Sequence, residues 1–136
     1  MARIVRLRPW HLVLIEPQPE QAMHARPQLN EDFGEALLSG GPAWVCCDAE
    51  KVYGAAGFVF EEGRALAWAI LSRYAGEQML AITRAARREF ENVKAPIEAY
   101  VREGFAAGER WASMLGLARA GVMVGPNGLT YGKWVR

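Results

Sequence analysis

The chain has 136 residues, of which 51% are hydrophobic, and its 16 basic and 15 acidic residues leave a formal net charge of +1. This length and apolar content are enough for one domain with its own core, so we predict a single domain over residues 1–136. The near-neutral charge argues against a dedicated nucleic-acid binder and against a protein that binds anionic membranes.

The cysteines and histidines show no spacing typical of a metal site or of a disulfide framework. Cys46 and Cys47 are adjacent, so on a strand they would point to opposite faces and could not link distant segments. His11 and His24 are isolated from each other and from the cysteines. We therefore expect no metal and a reducing compartment. The apolar run over 10–15 is too short for a signal peptide or a membrane span.

The first half of the chain predicts a strand, two short helical segments and an antiparallel meander. Pro9 ends the first strand, and further prolines up to Pro27 keep the next stretch irregular or only briefly helical. Asn30 offers an N-cap for a short helix that glycines and Pro42 stop. β-Favouring residues then predict three consecutive strands joined by tight turns. The predicted strands cover 2–7, 44–47, 52–60 and 65–71.

The second half predicts two amphipathic helices, a strand between them and a closing hairpin. Apolar residues recur at three- and four-residue steps in both helices, which is typical of core-facing helices. The sequence Pro126-Asn127-Gly128 favours a hairpin turn. The predicted helices run from Ser72 to about Asn92 and from 105 to 118, and the predicted strands cover 96–102, 122–124 and 129–135.

This order of elements resembles the fold of the GCN5-related N-acetyltransferases (GNAT), over nearly the whole chain. The opening Val5-Arg6-Leu7-Arg8-Pro9 resembles the first strand of the family, and 111–117, Trp-Ala-Ser-Met-Leu-Gly-Leu, resembles the end of its C-terminal helix. The resemblance implies an α/β (α+β) domain. Its central sheet would be mixed and mostly antiparallel, with about seven strands flanked by about four helices.

The resemblance also implies where acetyl-CoA would bind. The family holds the pyrophosphate on backbone N–H groups of a loop with the pattern Arg/Gln-x-x-Gly-x-Gly/Ala, at the start of a helix. Arg73 and Gly76 match this pattern, and Gln78 stands where a small residue is expected. Gln78 would crowd the phosphate, and Glu77 adds a negative charge beside it. The corresponding stretch is therefore either a weakened cofactor site or an ordinary turn between a strand and a helix.

Catalytic residues are sparse under the same resemblance. The family commonly uses a carboxylate on the fourth or fifth strand as general base and a tyrosine near the end of the last helix as general acid. The tyrosine position falls on Ala112, and the fourth strand has no carboxylate. Glu98 is the predicted base and Tyr100 the predicted acid, with His11 as a further candidate. The alternative for Glu98 is a solvent-facing strand residue, and for Tyr100 a packed aromatic.

Two functional hypotheses follow. The compact size and the Trp111 to Gly116 ending resemble small phage and prophage proteins, including internal virion proteins of short-tailed phages. The first hypothesis is thus a virion or assembly component with a degenerate acetyl-CoA site, located in the host cytoplasm or the virion. Its partners would be phage or host proteins or a second copy, through the final strand. The alternative is an N-acetyltransferase that uses acetyl-CoA and acts on an amine.

Overall fold

The computed structural model describes residues 1–19 and 29–136, so the predictions for His24 and Pro27 lie outside the described residues. Seven strands form one sheet in the order β1-β2-β3-β4-β5-β7-β6. The strands are β1 (Arg3–Arg6), β2 (Ala43–Cys47), β3 (Val52–Glu61), β4 (Arg64–Leu71), β5 (Ile97–Arg102), β6 (Ala118–Val124) and β7 (Thr130–Val135). The predicted seven-stranded mixed sheet is confirmed.

Three α-helices and two 3₁₀ segments accompany the sheet within the described ranges. They are the 3₁₀ segment Pro9–Leu14, α1 (Glu31–Gly40), the 3₁₀ segment Ala75–Gln78, α2 (Met79–Asn92) and α3 (Ala106–Met114). The predicted N-cap is confirmed, because the Asn30 side chain accepts a hydrogen bond from the Phe33 N–H at 2.8 Å.

Every neighbouring pair of strands is antiparallel except β4 and β5, which are parallel. The predicted meander of β2, β3 and β4 is confirmed. Its second turn is tight because Glu62 and Gly63 both adopt positive φ, 49° and 77°, between the paired residues Glu61 and Arg64.

Apolar cores lie on both faces of the sheet. One core joins the Pro9–Leu14 segment and α1 to the sheet, and Leu12 and Val45 are its most buried large side chains. The other core joins α2 and α3 to the opposite face, around Phe58, Phe90 and Leu115. The helices thus sandwich the sheet, as expected for this class of fold.

The long helix begins later than the sequence predicts. Ser72 is fully buried, pairs with Pro17 in an isolated bridge, and donates its N–H to the Tyr53 oxygen at 2.9 Å. Its Oγ accepts the Tyr74 N–H at 3.0 Å. A serine side chain that bonds the backbone in this way favours a turn over a helix. The predicted start at Ser72 is therefore wrong, and α2 begins at Met79.

The closing elements also differ from their predicted bounds. Gly116 has φ of 86°, and the Leu117 N–H donates to the Ala112 oxygen at 3.1 Å, so a left-handed cap ends α3 before residue 118. β6 consequently starts at Ala118 and contains Gly121. The final strand β7 lies between β5 and β6, so the prediction that its edge is available to a partner is wrong. β6 is the outer strand.

Candidate functional site

A gap opens between the parallel strands β4 and β5. They pair only at their start, where Ala65 is opposite Ile97 and Leu66 is opposite Glu98. Beyond these pairs, β4 follows β3 to Leu71 while β5 follows β7 to Arg102. The two halves of the sheet therefore separate toward the carboxyl ends of both strands.

A cavity of about 700 Å³ lies between the sheet and helices α2 and α3, where residues of β2, β3, β4 and β5 line it, and it extends into this gap. Many of its residues are small: Ala67 and Ala69 on β4, Ala99 on β5, Ala85 on α2 and Gly108 on α3. Short side chains leave room for a ligand between layers that larger residues would fill. The volume is typical of a small-molecule site.

Trp68 and Trp111 are two of the polar aromatic residues that line this cavity, with Trp44, Tyr100 and Tyr131. Trp111 Nε1 donates to Thr83 Oγ1 at 2.9 Å, which ties α3 to α2. Trp68 Nε1 is buried and has no hydrogen-bond partner among the described residues. A buried indole N–H normally finds an acceptor, so a ligand acceptor atom near Trp68 would satisfy it. Trp68 also packs against the core that contains Leu12 and Val45, on the α1 side of the sheet.

The predicted cofactor loop follows β4 directly. Arg73 and Gly76 are exposed, whereas Gln78 is half-buried at the end of the 3₁₀ segment. The N–H groups of Arg73, Tyr74 and Ala75 already donate within the protein, to Glu16, Ser72 Oγ and the Ser72 oxygen. A Cβ at Gly76 would meet no atom within 4 Å. The open backbone of this loop thus lies around Gly76.

A smaller cavity of about 300 Å³ lies beside Gly76. Two of its lining residues are cationic, and both contact the Tyr74 ring: Lys51 Nζ is 4.4 Å and the Arg73 guanidinium carbon 5.6 Å from its centroid. Glu77 also lines this cavity. Lys51 and Arg73 could hold a phosphate here, and Glu77 would oppose it. Lys51 was not predicted, because its turn is distant in sequence.

Asp48 fixes the turn that carries Lys51. Its Oδ1 accepts the N–H groups of Glu50 and Lys51, each at 2.8 Å, and its Oδ2 accepts the Tyr53 hydroxyl at 2.6 Å. The hydrogen bond from Tyr53, followed by the backbone hydrogen bonds, lowers the pKa of Asp48 to about 2. The same bond raises the pKa of Tyr53 to about 12. The backbone at Lys51 is therefore held in place at neutral pH.

Glu98 and Tyr100, the predicted catalytic pair, lie on the sheet face opposite α2 and α3, because their neighbour Ala99 packs toward those helices. Glu98 Oε2 accepts hydrogen bonds from Arg64 Nη1 at 2.8 Å and from the Tyr100 hydroxyl at 3.2 Å, and Oε1 lies 3.2 Å from Lys133 Nζ. Glu98 is 8% exposed. The alternative of a solvent-facing Glu98 is therefore wrong, since two cations and a hydroxyl enclose its carboxylate.

This environment changes the acidity of Glu98. Burial acts to raise its pKa, but the hydrogen bonds from Lys133 and Tyr100 and the charge of Arg64 outweigh burial and lower it. Glu98 is thus ionised at neutral pH and accepts a proton less readily than an ordinary carboxylate. Glu98 pairs with Leu66 of β4, which lies five residues before the strand ends at Leu71, or about 17 Å along the strand. The catalytic pair and the cofactor loop therefore lie at opposite ends of the gap.

Two other positions considered from the sequence, Ala112 and His11, are buried in the protein. Ala112 is buried in α3, where a tyrosine was expected from the resemblance. His11 is buried and its Nδ1 accepts the Arg8 N–H at 2.9 Å, with the Trp10 ring centroid 3.9 Å from its own. Burial lowers the pKa of His11. Its neutral form therefore caps the Pro9–Leu14 segment.

We expect stability to fall as pH drops through the ordinary histidine pKa of 6.5, because the unfolded chain then binds a proton that folded His11 resists. His11→Asn keeps an acceptor for the Arg8 N–H but cannot titrate. Urea unfolding between about pH 7.5 and 5.5 should show a smaller loss for this variant, by about 1 kcal/mol. Equal losses in both proteins would contradict the assignment.

Within the described ranges, no helix is long and apolar enough to span a membrane. In the same part of the chain, no three His, Cys, Asp or Glu side chains are grouped so as to hold a metal ion.

These features define a class of protein: a mixed sheet that splits between two parallel strands, with a cavity in the split and a helix-start loop at its end. Solved structures that share this architecture include proteins described as acetyltransferases. A protein from Staphylococcus epidermidis described as a probable acetyltransferase has a TM-score of 0.74 at 9% identity, covering 100% of this chain and 98% of that one. One from Bordetella pertussis, assigned to the GNAT family, has a TM-score of 0.72 at 18% identity, covering 98% and 95%.

An aminoglycoside acetyltransferase in complex with coenzyme A and kanamycin is also similar, with a TM-score of 0.68 at 13% identity, covering 100% of this chain and 94% of that one. No family model matches the sequence, and no curated protein matches it. The chain therefore has the GNAT acetyltransferase fold. None of these three structures is named as a phage or virion protein, so they give no support to the predicted phage type.

The residues of the site fit acetyl-CoA at the gap better than at the loop. The strand separation, the small cavity residues and the unpartnered Trp68 N–H all suit a ligand that passes between β4 and β5. At the loop, Lys51 and Arg73 suit phosphates, whereas Glu77 and the already bonded N–H groups suit them less well.

Proposed function

We propose that this protein is an acetyl-CoA-dependent N-acetyltransferase that acts on an amine. The observation that carries the proposal is the gap between β4 and β5 with its cavity of about 700 Å³. A continuous sheet would show no such separation between two neighbouring parallel strands. The fold comparison supports the same class, and kanamycin in the matched complex is an amine.

Different residues of the chain would act at the two ends of the gap. Lys51 and Arg73 would bind phosphates at the loop, and the alanines of β4 and β5 would keep the path along the strands open. Bound acetyl-CoA supplies the acetyl group as a thioester. The acceptor amine would be placed at the opposite end, near Glu98, where it can attack once it is neutral.

Glu98 would take the proton of the attacking amine through a water molecule. Its lowered pKa keeps it ionised, so it offers a weak base that is always available at neutral pH. The Tyr100 hydroxyl, which donates to Glu98, would hold that carboxylate in position. Because attack by an amine depends mainly on positioning, a weak base is compatible with the reaction.

A titration of acetyl-CoA into the protein, followed by calorimetry, tests the proposal. We expect micromolar binding, and release of free thiol from acetyl-CoA when a panel of amines is added. Arg73→Ala should weaken binding at least about tenfold, since a charge-assisted hydrogen bond is lost. Glu77→Gln should strengthen it, because a carboxylate beside the phosphates is removed.

Arg6→Ala is the matched control, because Arg6 is an exposed arginine on β1 that pairs with Trp44, whereas Arg3 pairs with Cys47 beside the turn that carries Lys51. It should leave the affinity unchanged. If millimolar acetyl-CoA gives no heat with the wild-type protein, the acetyltransferase proposal fails. The non-catalytic alternative, which Glu77, Gln78 and Ala112 favour, would then account for the fold.

A further inference from the structure

The outer strand β6 is exposed along its whole length. In the described part of the chain it pairs only with β7, and all seven residues from Ala118 to Val124 are exposed. Val122 is 62%, Met123 40% and Val124 68% exposed. Three consecutive apolar residues on an open strand edge are unusual, because such an edge readily pairs with another chain.

Electrostatic protection of this edge is weak. Arg119 is the one charged residue of the strand, and Glu103 and Glu109 on the same chain pair with it. The opposite edge of the sheet differs: β1 carries exposed Arg3 and Arg6 within four residues. Charges of one sign on an edge disfavour pairing with a second copy. The sheet thus has one edge protected by charge and one edge that is not.

We propose that β6 pairs antiparallel with β6 of a second copy, so that two sheets join into one across a two-fold axis. The side chains of β6 are suited to this arrangement. Val122 and Val124 lie opposite Gly132 and Thr130, on the face of Trp134, whereas Met123 lies opposite Tyr131 on the other face. Antiparallel self-pairing with Val122 of one copy opposite Val122 of the other would place these valines side by side on one face and Met123 of each copy on the other face.

A second copy suits this edge better than a charged partner. The exposed end of β6, from Gly121 to Val124, has no charge that a basic or acidic partner would recognise. A strand of this composition is complementary to itself, and an isologous contact buries the same patch twice. The formal net charge of +1 also gives little repulsion between copies.

Sedimentation measurements on the full chain test this inference. We expect the wild-type protein to sediment with twice the mass of the chain at micromolar concentrations. Val122→Lys should raise the dimer dissociation constant at least about tenfold, because cross-strand valine contacts are lost and like charges meet. Val13→Lys is the control, since Val13 is 55% exposed but lies in the Pro9–Leu14 segment; it should sediment like the wild type.

A charge-reversal pair separates loss of contact from loss of folding. Val122→Lys and Val122→Glu should each dissociate alone, and an equimolar mixture should form the dimer again because opposite charges then lie side by side. Amide hydrogens of β6 should exchange more slowly at high protein concentration than at low. A wild-type protein that keeps the mass of one chain up to millimolar concentration would overturn the proposal, as would a wild-type dimer that Val122→Lys leaves intact.

Discussion

Ala99→Trp is expected to reduce acetyl-CoA affinity by two orders of magnitude or more, about 3 kcal/mol of binding free energy. Ala99 lies on β5 just after the last residue paired with β4, and its side chain lines the cavity on the helix side of the sheet. An indole at this position would occupy the start of the gap, which the small residues of both strands leave open. The ligand would then have no path between the strands.

Ala99→Ser is the matched control, because a serine adds one atom and should retain binding within a fewfold. Calorimetric titration and thermal unfolding should be measured for both variants. The decisive comparison is a folded Ala99→Trp protein, shown by a cooperative thermal transition. If that protein bound acetyl-CoA with wild-type affinity, the ligand would have to bind outside the gap.

Phe58→Ala is expected to lower the free energy of unfolding by about 3–5 kcal/mol. Phe58 is 2% exposed on β3, and its ring lies 5.4 Å from Phe90 of α2 and 6.5 Å from Trp44 of β2, between centroids. Truncation would remove a buried ring and leave a cavity between the sheet and α2, which their remaining side chains would not fill. Urea unfolding at neutral pH would measure the loss.

Phe60 offers a control on the same strand, since it is 48% exposed and its ring stacks on Phe58 at 6.0 Å. Phe60→Ala should cost about 1 kcal/mol or less, because much of that ring remains in water. Similar losses for the two variants would show that the core beneath α2 is less tightly packed than the contacts of Phe58 indicate.

The sequence predicted the order of the elements well because local signals mark most of their ends. β-Favouring residues and the turns between them identified β3 and β4, and Asn30 identified the start of α1. The errors arose where tertiary hydrogen bonds outweigh local preference. Ser72 lies in a helix-compatible stretch, yet its backbone pairs with β3 and its hydroxyl caps a turn.

The candidate site was less predictable, because it depends on which strands lie side by side. Arg64 and Lys133 surround Glu98 only through the pairing of β5 with β4 and β7, and no local pattern links these three residues. Lys51 approaches Arg73 for the same reason. The separation of β4 from β5 has no signature in one sequence beyond the small residues along both strands.

The short parallel pairing of β4 with β5 also bears on how the protein unfolds. Two residue pairs join the half-sheet β1–β4 to the half-sheet β5–β7–β6, so few backbone hydrogen bonds hold the two halves together. Most of the contact between them comes from side chains that pack beneath α2 and α3. A ligand in the gap between β4 and β5 would contact both half-sheets and stabilise their association. Amide exchange in β5 and β7 should then slow when a ligand fills the gap between β4 and β5. Local opening of this half-sheet would first have to break its contacts with the ligand.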